Sequence, residues 1–279
     1  MKGTLYIVGT PIGNLKDFTF RGVEILNMVD FIACEDTRHS IKLLNHFEIS
    51  KKLISYHEHN KMEKGEYILK LILDGHNIAL VSDAGMPCIS DPGYDLVKLM
   101  YEKNINVTTV PTGTAVISAL ILSGFDTRRY VFEGFLSKVN KERKKVLESF
   151  EKETRTLVLY ESPHHIKQTL KDLSNYIGDR NVAVVREITK VYEEVLKGSS
   201  LELLEHFTEN QPIGEMVVII KGRDNLELIQ EEQEKFSEIS IEEHYQQYLD
   251  MGVDYKEAIK KVAKDRGLNK REVYSIINK

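Results

Sequence analysis

A chain of 279 residues with 42% apolar residues and a formal charge of −5 is long enough for two compact domains and can fill their cores. No tract is long and apolar enough to span a bilayer. Two cysteines, Cys34 and Cys88, exclude a disulfide framework and a four-cysteine zinc site.

The chain opens on a strand-like run, Leu5-Tyr6-Ile7-Val8, without the basic, apolar and cleavage-site order of a signal peptide, so a reduced, cytoplasmic setting is expected. Residues 5–9 read as a buried strand, 21–28 as a helix and 31–34 as a short apolar strand. Residues 66–74 are helical in period and stop at Gly75, 78–82 read as a strand, 94–103 as a helix and 107–110 as a strand. This alternation predicts a mainly parallel sheet covered by helices. A second alternating unit follows: helices at 114–123 and 141–150, a strand at 156–160, a helix at 166–176, a strand at 181–186, a helix at 201–208 and a strand at 216–220. The division expected is an α/β domain over 1–112, a second over 113–222 that closes a cleft, and an acidic linker with a helical module over 223–279.

Ligands of parallel sheets sit beyond the carboxyl ends of the strands. Four such ends carry turn-rich motifs: Gly9-Thr10-Pro11-Ile12-Gly13-Asn14, Glu35-Asp36-Thr37-Arg38, the run from Asp83-Ala84-Gly85-Met86-Pro87 to Ser90-Asp91-Pro92-Gly93, and Pro111-Thr112-Gly113-Thr114-Ala115. Singly each is a turn; together at one sheet edge they mark a site. No Gly-x-x-x-x-Gly-Lys-Ser/Thr or Gly-x-Gly-x-x-Gly pattern occurs, which disfavours a P-loop NTPase and an ordinary dinucleotide fold.

The segments LYIVGTPIGNLKD, ACEDTRHSIKLLNHF, ALVSDAGMPCISDPGYDLV, LYESPHHI, VREITKVYEEVLKG and GEMVVIIKG occur in that order. Together they resemble the ribosomal RNA small subunit methyltransferase I family, a branch of the tetrapyrrole-methylase-like superfamily. The resemblance implies two α/β/α domains with S-adenosyl-L-methionine between them and no metal. It further implies transfer of a methyl group to a cytidine 2′-oxygen in the decoding region of 16S rRNA, within the 30S subunit, by a homodimer. Two positions depart from the family pattern: the glycine of Pro111-Thr112-Gly113-Thr114-Ala115 is displaced by one, and Glu161-Ser162-Pro163-His164-His165 has His165 where the family carries arginine.

By resemblance, the donor is expected at Gly9, Pro11, Asp83, Gly85, Met86, Thr114 and Ala115. A plainer role for the glycines and Pro11 is turn geometry, and for Asp83 a cap. Methyl transfer to a ribose hydroxyl needs alignment and help in removing a proton. The charged candidates are Lys190, Glu187, Asp36, Glu35 and Arg38, then Glu161 and Arg186; a loop salt bridge is the alternative for each. His57-Glu58-His59 places two histidines on one strand face, but without a third ligand no metal is expected, and His57 is assigned to substrate. In the tail, helices at 241–251, 256–265 and 270–277, with a turn at Arg266-Gly267-Leu268 and Asn269 as a cap, have a helix-turn-helix pattern. Lys270 and Arg271 would then contact RNA, the alternative being a packing or dimerising bundle. The basic stretch 138–145, with five cations against Glu142, is a second local patch suited to a ribosomal partner. The rival readings are a small-molecule tetrapyrrole methylase and a non-catalytic ribosome-binding factor.

Overall fold

The structure, a computed structural model, describes residues 1–236 and 238–278; the expected segment 223–279 includes Ser237 and Lys279, which lie outside the described residues. Two compact units result: Met1–Glu148 with Thr156–Lys221, and Ser149–Arg155 with Gly222–Lys279.

The first unit opens with β1 (Thr4–Val8), α1 (Phe20–Met28), β2 (Phe31–Cys34), α2 (Thr37–His46), β3 (Lys52–Ser55), α3 (Lys61–Leu73), β4 (Ile78–Val81), α4 (Tyr94–Glu102) and β5 (Asn106–Val110). The strands pair in the order β3-β2-β4-β1-β5, all parallel. All four residues of β4 are buried, as a strand covered on both faces requires. Leu5, Ile78, Leu80 and Ile72 pack on one side of this sheet, and Leu26, Ile32, Ala79 and Val110 on the other. Since every strand is parallel, the four motifs leave from the same edge.

The unit continues with α5 (Ala115–Ser123), β6 (Tyr130–Phe135), α6 (Asn140–Phe150, whose last two residues belong to the second unit), β7 (Thr156–Glu161), α7 (Ile166–Ile177), β8 (Asn181–Arg186), β9 (Glu194–Ser199), α8 (Ser200–Glu209) and β10 (Met216–Ile220). The second sheet runs β6-β7-β10-β8-β9 and is mixed: β6 and β7 are parallel, whereas β10 is antiparallel to β7 and β8, and β9 to β8. The uniform βα alternation expected there breaks because β8 and β9 follow one another without a crossover helix. Glu161, Met216 and Arg186 form one cross-strand row at the edge of this sheet.

The second unit holds α9 (Asn225–Glu234), α10 (Ile241–Asp250), α11 (Tyr255–Asp265) and α12 (Lys270–Ile277). Tyr245, Ala258, Ile259, Val262 and Val273 form its small core. Asn269 caps α12 in a reciprocal pair with Glu272. Between α11 and α12, Gly267 adopts φ +64° and Leu268 N–H reaches back to Ala263 O, an αL stop that turns the chain. Arg266 pins that turn by donating to Ile239 O at 2.7 Å, Ser240 O at 2.8 Å and His244 Nδ1 at 3.2 Å. Among the described residues, no helix is long and apolar enough to cross a membrane.

Candidate active site

A cavity of about 460 Å³ lies within the first unit, where the carboxyl edge of the parallel sheet faces the Glu161–Met216 edge of the mixed one. Its size is that of an ordinary small-molecule site. One wall is the loop from Asp83 to Asp91 together with Ile12; the other is Tyr160 to Pro163, Glu187 to Lys190 and Glu215 to Val217. Thr114 and Ala115, at the start of α5, complete it.

The loop after β4 is clamped to the loop after β1. Thr10 and Gly85 exchange backbone hydrogen bonds of 2.8 and 3.1 Å, and the Thr10 hydroxyl donates to Ser82 O at 3.1 Å. Gly85 has φ +82°, which an L side chain rarely adopts. A methyl group on Gly9 would come within 2.4 Å of Thr112 Cγ2 and 2.6 Å of Met86 Sδ, so a glycine here lets Met86 lie flat beside the cavity. Cys88 and Ser90 also have positive φ, at 73° and 59°; such strain in non-glycine residues is held by the surrounding structure and clusters at ligand loops.

Across the cavity, Glu187 (φ 51°) and Thr189 (φ 66°) bend the chain after β8. Lys190 Nζ lies 2.9 Å from Glu187 Oε1. Gly214 permits this, since a Cβ there would strike the Glu187 carboxylate at 2.0 Å. Glu161 is buried; it accepts from Ser162 N at 2.7 Å and from the Thr169 hydroxyl.

Six carboxylates line the cavity: Glu35, Asp83, Asp91, Glu161, Glu187 and Glu215, against one cation, Lys190. The electrostatic consequence is concentrated at Asp91. Burial, then the charges of Glu35, Asp83 and Glu215, push its carboxyl up to about 7. Glu35 is also raised, by burial first and Asp83 second. Burial, reinforced by the charge of Asp91, raises Tyr160 to about 12.

Of the expected donor residues, Asp83, Gly85, Met86, Thr114 and Ala115 line this cavity, with Gly9 directly behind Met86. Pro11 does not; it borders a separate small hollow with His39 and Leu43. Of the charged candidates, Lys190, Glu187, Glu35 and Glu161 are brought together. Asp36 and Arg38 instead border an open depression that Glu35 shares with His57 and His59. Asp36 caps α2, accepting from Arg38 N at 2.8 Å, and pairs with the exposed Arg38 guanidinium at 2.9 Å. Hydrogen bonding to Arg38 lowers its carboxyl to about 2. Arg186 is tied to Glu194 at 2.5 Å on the neighbouring strand. His57 Nδ1 is buried with no hydrogen-bond partner among the described residues, while its Nε2 contacts Asn60. Among those residues no group of three or more His, Cys, Asp or Glu could hold a metal ion. Lys270 and Arg271 occupy the first turn of α12 in the second unit. Asp91 and Glu215 were hidden inside motifs that read as a turn and as a strand approach.

Residues 4–204 match the tetrapyrrole (corrin/porphyrin) methylases. A protein of Halalkalibacterium halodurans named ribosomal RNA small subunit methyltransferase I is 46% identical over 275 residues, 99% of this chain and 94% of that one. Its namesake from Thermotoga maritima is 45% identical over 222 residues, 80% of this chain and the whole of that relative. Among solved structures, a cobalamin biosynthetic enzyme, cobalt precorrin-4 methyltransferase, superposes with a TM-score of 0.60 at 18% identity over 78% of this chain and 94% of its own. At that identity the likeness carries the fold alone.

Proposed function

The chain belongs to the tetrapyrrole methylases and, within them, to the ribosomal RNA small subunit methyltransferase I family, and from that premise we propose that it methylates the 2′-oxygen of a cytidine in the decoding region of 16S rRNA. S-adenosyl-L-methionine is the donor, the 30S subunit the substrate particle, and a cytoplasmic homodimer the working form.

The observation that carries this reading is the sign of the cavity. Six carboxylates against one lysine form a site for a cation, and a sulfonium is the cationic form of a methyl donor. Bound there, the donor supplies an electrophilic methyl carbon and leaves as a neutral thioether. The acidic walls therefore favour donor over product, since only the former carries the sulfonium charge. A Cβ on Gly9 would strike Thr112 and Met86, and one on Gly85 would press on Ile12 Cγ2 at 3.3 Å, so glycine at both positions keeps these wall loops closely packed with bare backbone at Gly85, which fits close approach of a ligand there. Asp83, Met86, Thr114 and Ala115 would hold the donor.

As the acceptor oxygen bonds to the methyl carbon and the carbon–sulfur bond breaks, the hydroxyl proton must leave. Asp91 is the carboxylate tuned to receive it, since a base is most effective with a pKa near the working pH. Lys190, held by Glu187, supplies the positive charge that steadies the acceptor oxygen as the proton departs. Glu161 and Ser162 form the rim over which the acceptor enters. His57, Lys270 and Arg271 are proposed to contact RNA outside this cavity.

A tetrapyrrole acceptor is the second reading the fold allows, and one assay separates them. Labelled S-adenosylmethionine is incubated with 30S subunits in one arm and a porphyrinogen in the other. Label in 16S rRNA alone supports the proposal; label in the tetrapyrrole alone overturns it.

A further inference from the structure

A second cavity, of about 870 Å³, adjoins the first within the same unit; both are lined by Phe135, Glu161 and Ser162. Its charge is opposite. Lys138, Arg143 and Lys144 line it, and its two acids, Glu161 and Asp172, are already engaged. Arg143 Nε donates to Asp172 Oδ2 at 2.7 Å and its Nη2 to the Thr169 hydroxyl at 2.9 Å; that hydroxyl in turn donates to Glu161. Gln168 fixes the other Asp172 oxygen at 2.7 Å.

This network leaves the Arg143 guanidinium rigid, with three of its five N–H donors unpartnered among the described residues. Among the described residues Lys138 forms no ion pair, and Lys144 has only a 3.6 Å contact with Glu148 at the surface. At the junction of the two cavities, the Ser162 hydroxyl is buried with no hydrogen-bond partner among the described residues. A fixed guanidinium fork, two lysines and an orphan hydroxyl are the groups that recognise a phosphodiester.

We infer that this second cavity is a subsite for the phosphodiester of the nucleotide next to the one methylated. The inference rests on RNA being the acceptor. A strand lying across the Glu161–Ser162 rim would place its phosphate over Lys138, Arg143 and Lys144 and its neighbouring ribose in the acidic cavity. The polyanion is excluded from the first cavity and the cationic donor disfavoured in the second, so the two charges sort the two ligands. Arg143 also ties the subsite to the active site, because its bond to Thr169 supports the hydroxyl that holds Glu161.

The test uses the full-length enzyme, labelled donor and 30S subunits, with the double variant Lys138→Glu/Lys144→Glu. Loss of two charge-assisted contacts should raise KM for the particle on the order of 10- to 100-fold. The log–log salt slope of binding should fall by about 2, with kcat and calorimetric donor affinity unchanged. Lys141→Glu/Lys145→Glu makes the same change of charge within the same basic stretch, on α6 but outside the cavity, and should raise KM far less. An unchanged KM and salt slope in the first variant overturns the inference. So does an equal loss in the second, which would make the effect one of diffuse charge. A parent enzyme that transfers no methyl group to 30S subunits overturns the RNA reading itself, and the inference falls with it.

Discussion

Replacing Asp91 by asparagine should stabilise the protein above neutral pH. Its carboxyl faces Glu35, Asp83 and Glu215 and is pushed from 3.8 to about 7 in the folded chain. The native state therefore holds this proton more tightly than the unfolded chain does. The resulting stability is fully present below pH 3.8, declines as pH rises, and is gone once pH passes about 7. The shift corresponds to about 4 kcal/mol if the site were sealed. The side chain is only partly buried, and solvent screening reduces this to about 1–2 kcal/mol. Asp91→Asn keeps the shape and removes the charge. Denaturant midpoints of parent and variant, measured from pH 4.5 to 8.5, should nearly coincide at the acid end and separate by that amount at pH 8. Taking the difference between the two proteins cancels the other titrating groups to first order. A variant no more stable than the parent at pH 8, or a separation independent of pH, would refute the electrostatic account of the cavity. The same variant should lose turnover while retaining donor binding, because it has lost its proton acceptor.

Lys190→Ala should lower kcat on the order of 100-fold with little change in donor or RNA affinity, the signature of a charge used in the transition state; a change confined to KM for RNA makes Lys190 a phosphate contact. Gly85→Arg adds a long side chain at φ +82°, on a wall of the acidic cavity. Calorimetry should find no saturable S-adenosylmethionine binding while unfolding stays cooperative, and undiminished affinity would move the donor elsewhere. Charge reversal at Lys270 and Arg271 should weaken RNA binding, reduce its salt slope by about 2 and leave donor affinity intact. A monomeric protein with normal methylation would instead assign α12 to assembly.

The parallel half of the molecule was legible apart from α2 and β3: its other strands are short apolar runs punctuated by glycine and proline, and the four turn motifs at one edge each contribute to the lining of the acidic cavity. The mixed sheet was less so. β9, Glu194–Ser199, contains Lys197 and Gly198 and is nowhere fully buried, so it carries neither the alternation nor the apolar run that marks a strand. In β6 the register shifts between Phe132 and Gly134, where Gly134 has φ +75°, and a bulge of this kind breaks the period-two pattern. At the site, Asp36 and Asp91 look alike in sequence, each an acid at a strand-end turn. Only the fold separates them: Asp36 turns outward to cap α2, whereas Asp91 faces three other carboxylates. The Glu187–Lys190 pair was named from residue type, yet their contact depends on two positive-φ residues and on Gly214, which belong to different segments of the chain.

The proposed reaction is defined by the atom that receives the methyl group. 30S subunits incubated with enzyme and labelled S-adenosylmethionine should yield 16S rRNA with one alkali-resistant linkage, at a cytidine in the decoding region, with the label in the ribose. Label on a base, or in RNA whose every linkage remains alkali-sensitive, would contradict it.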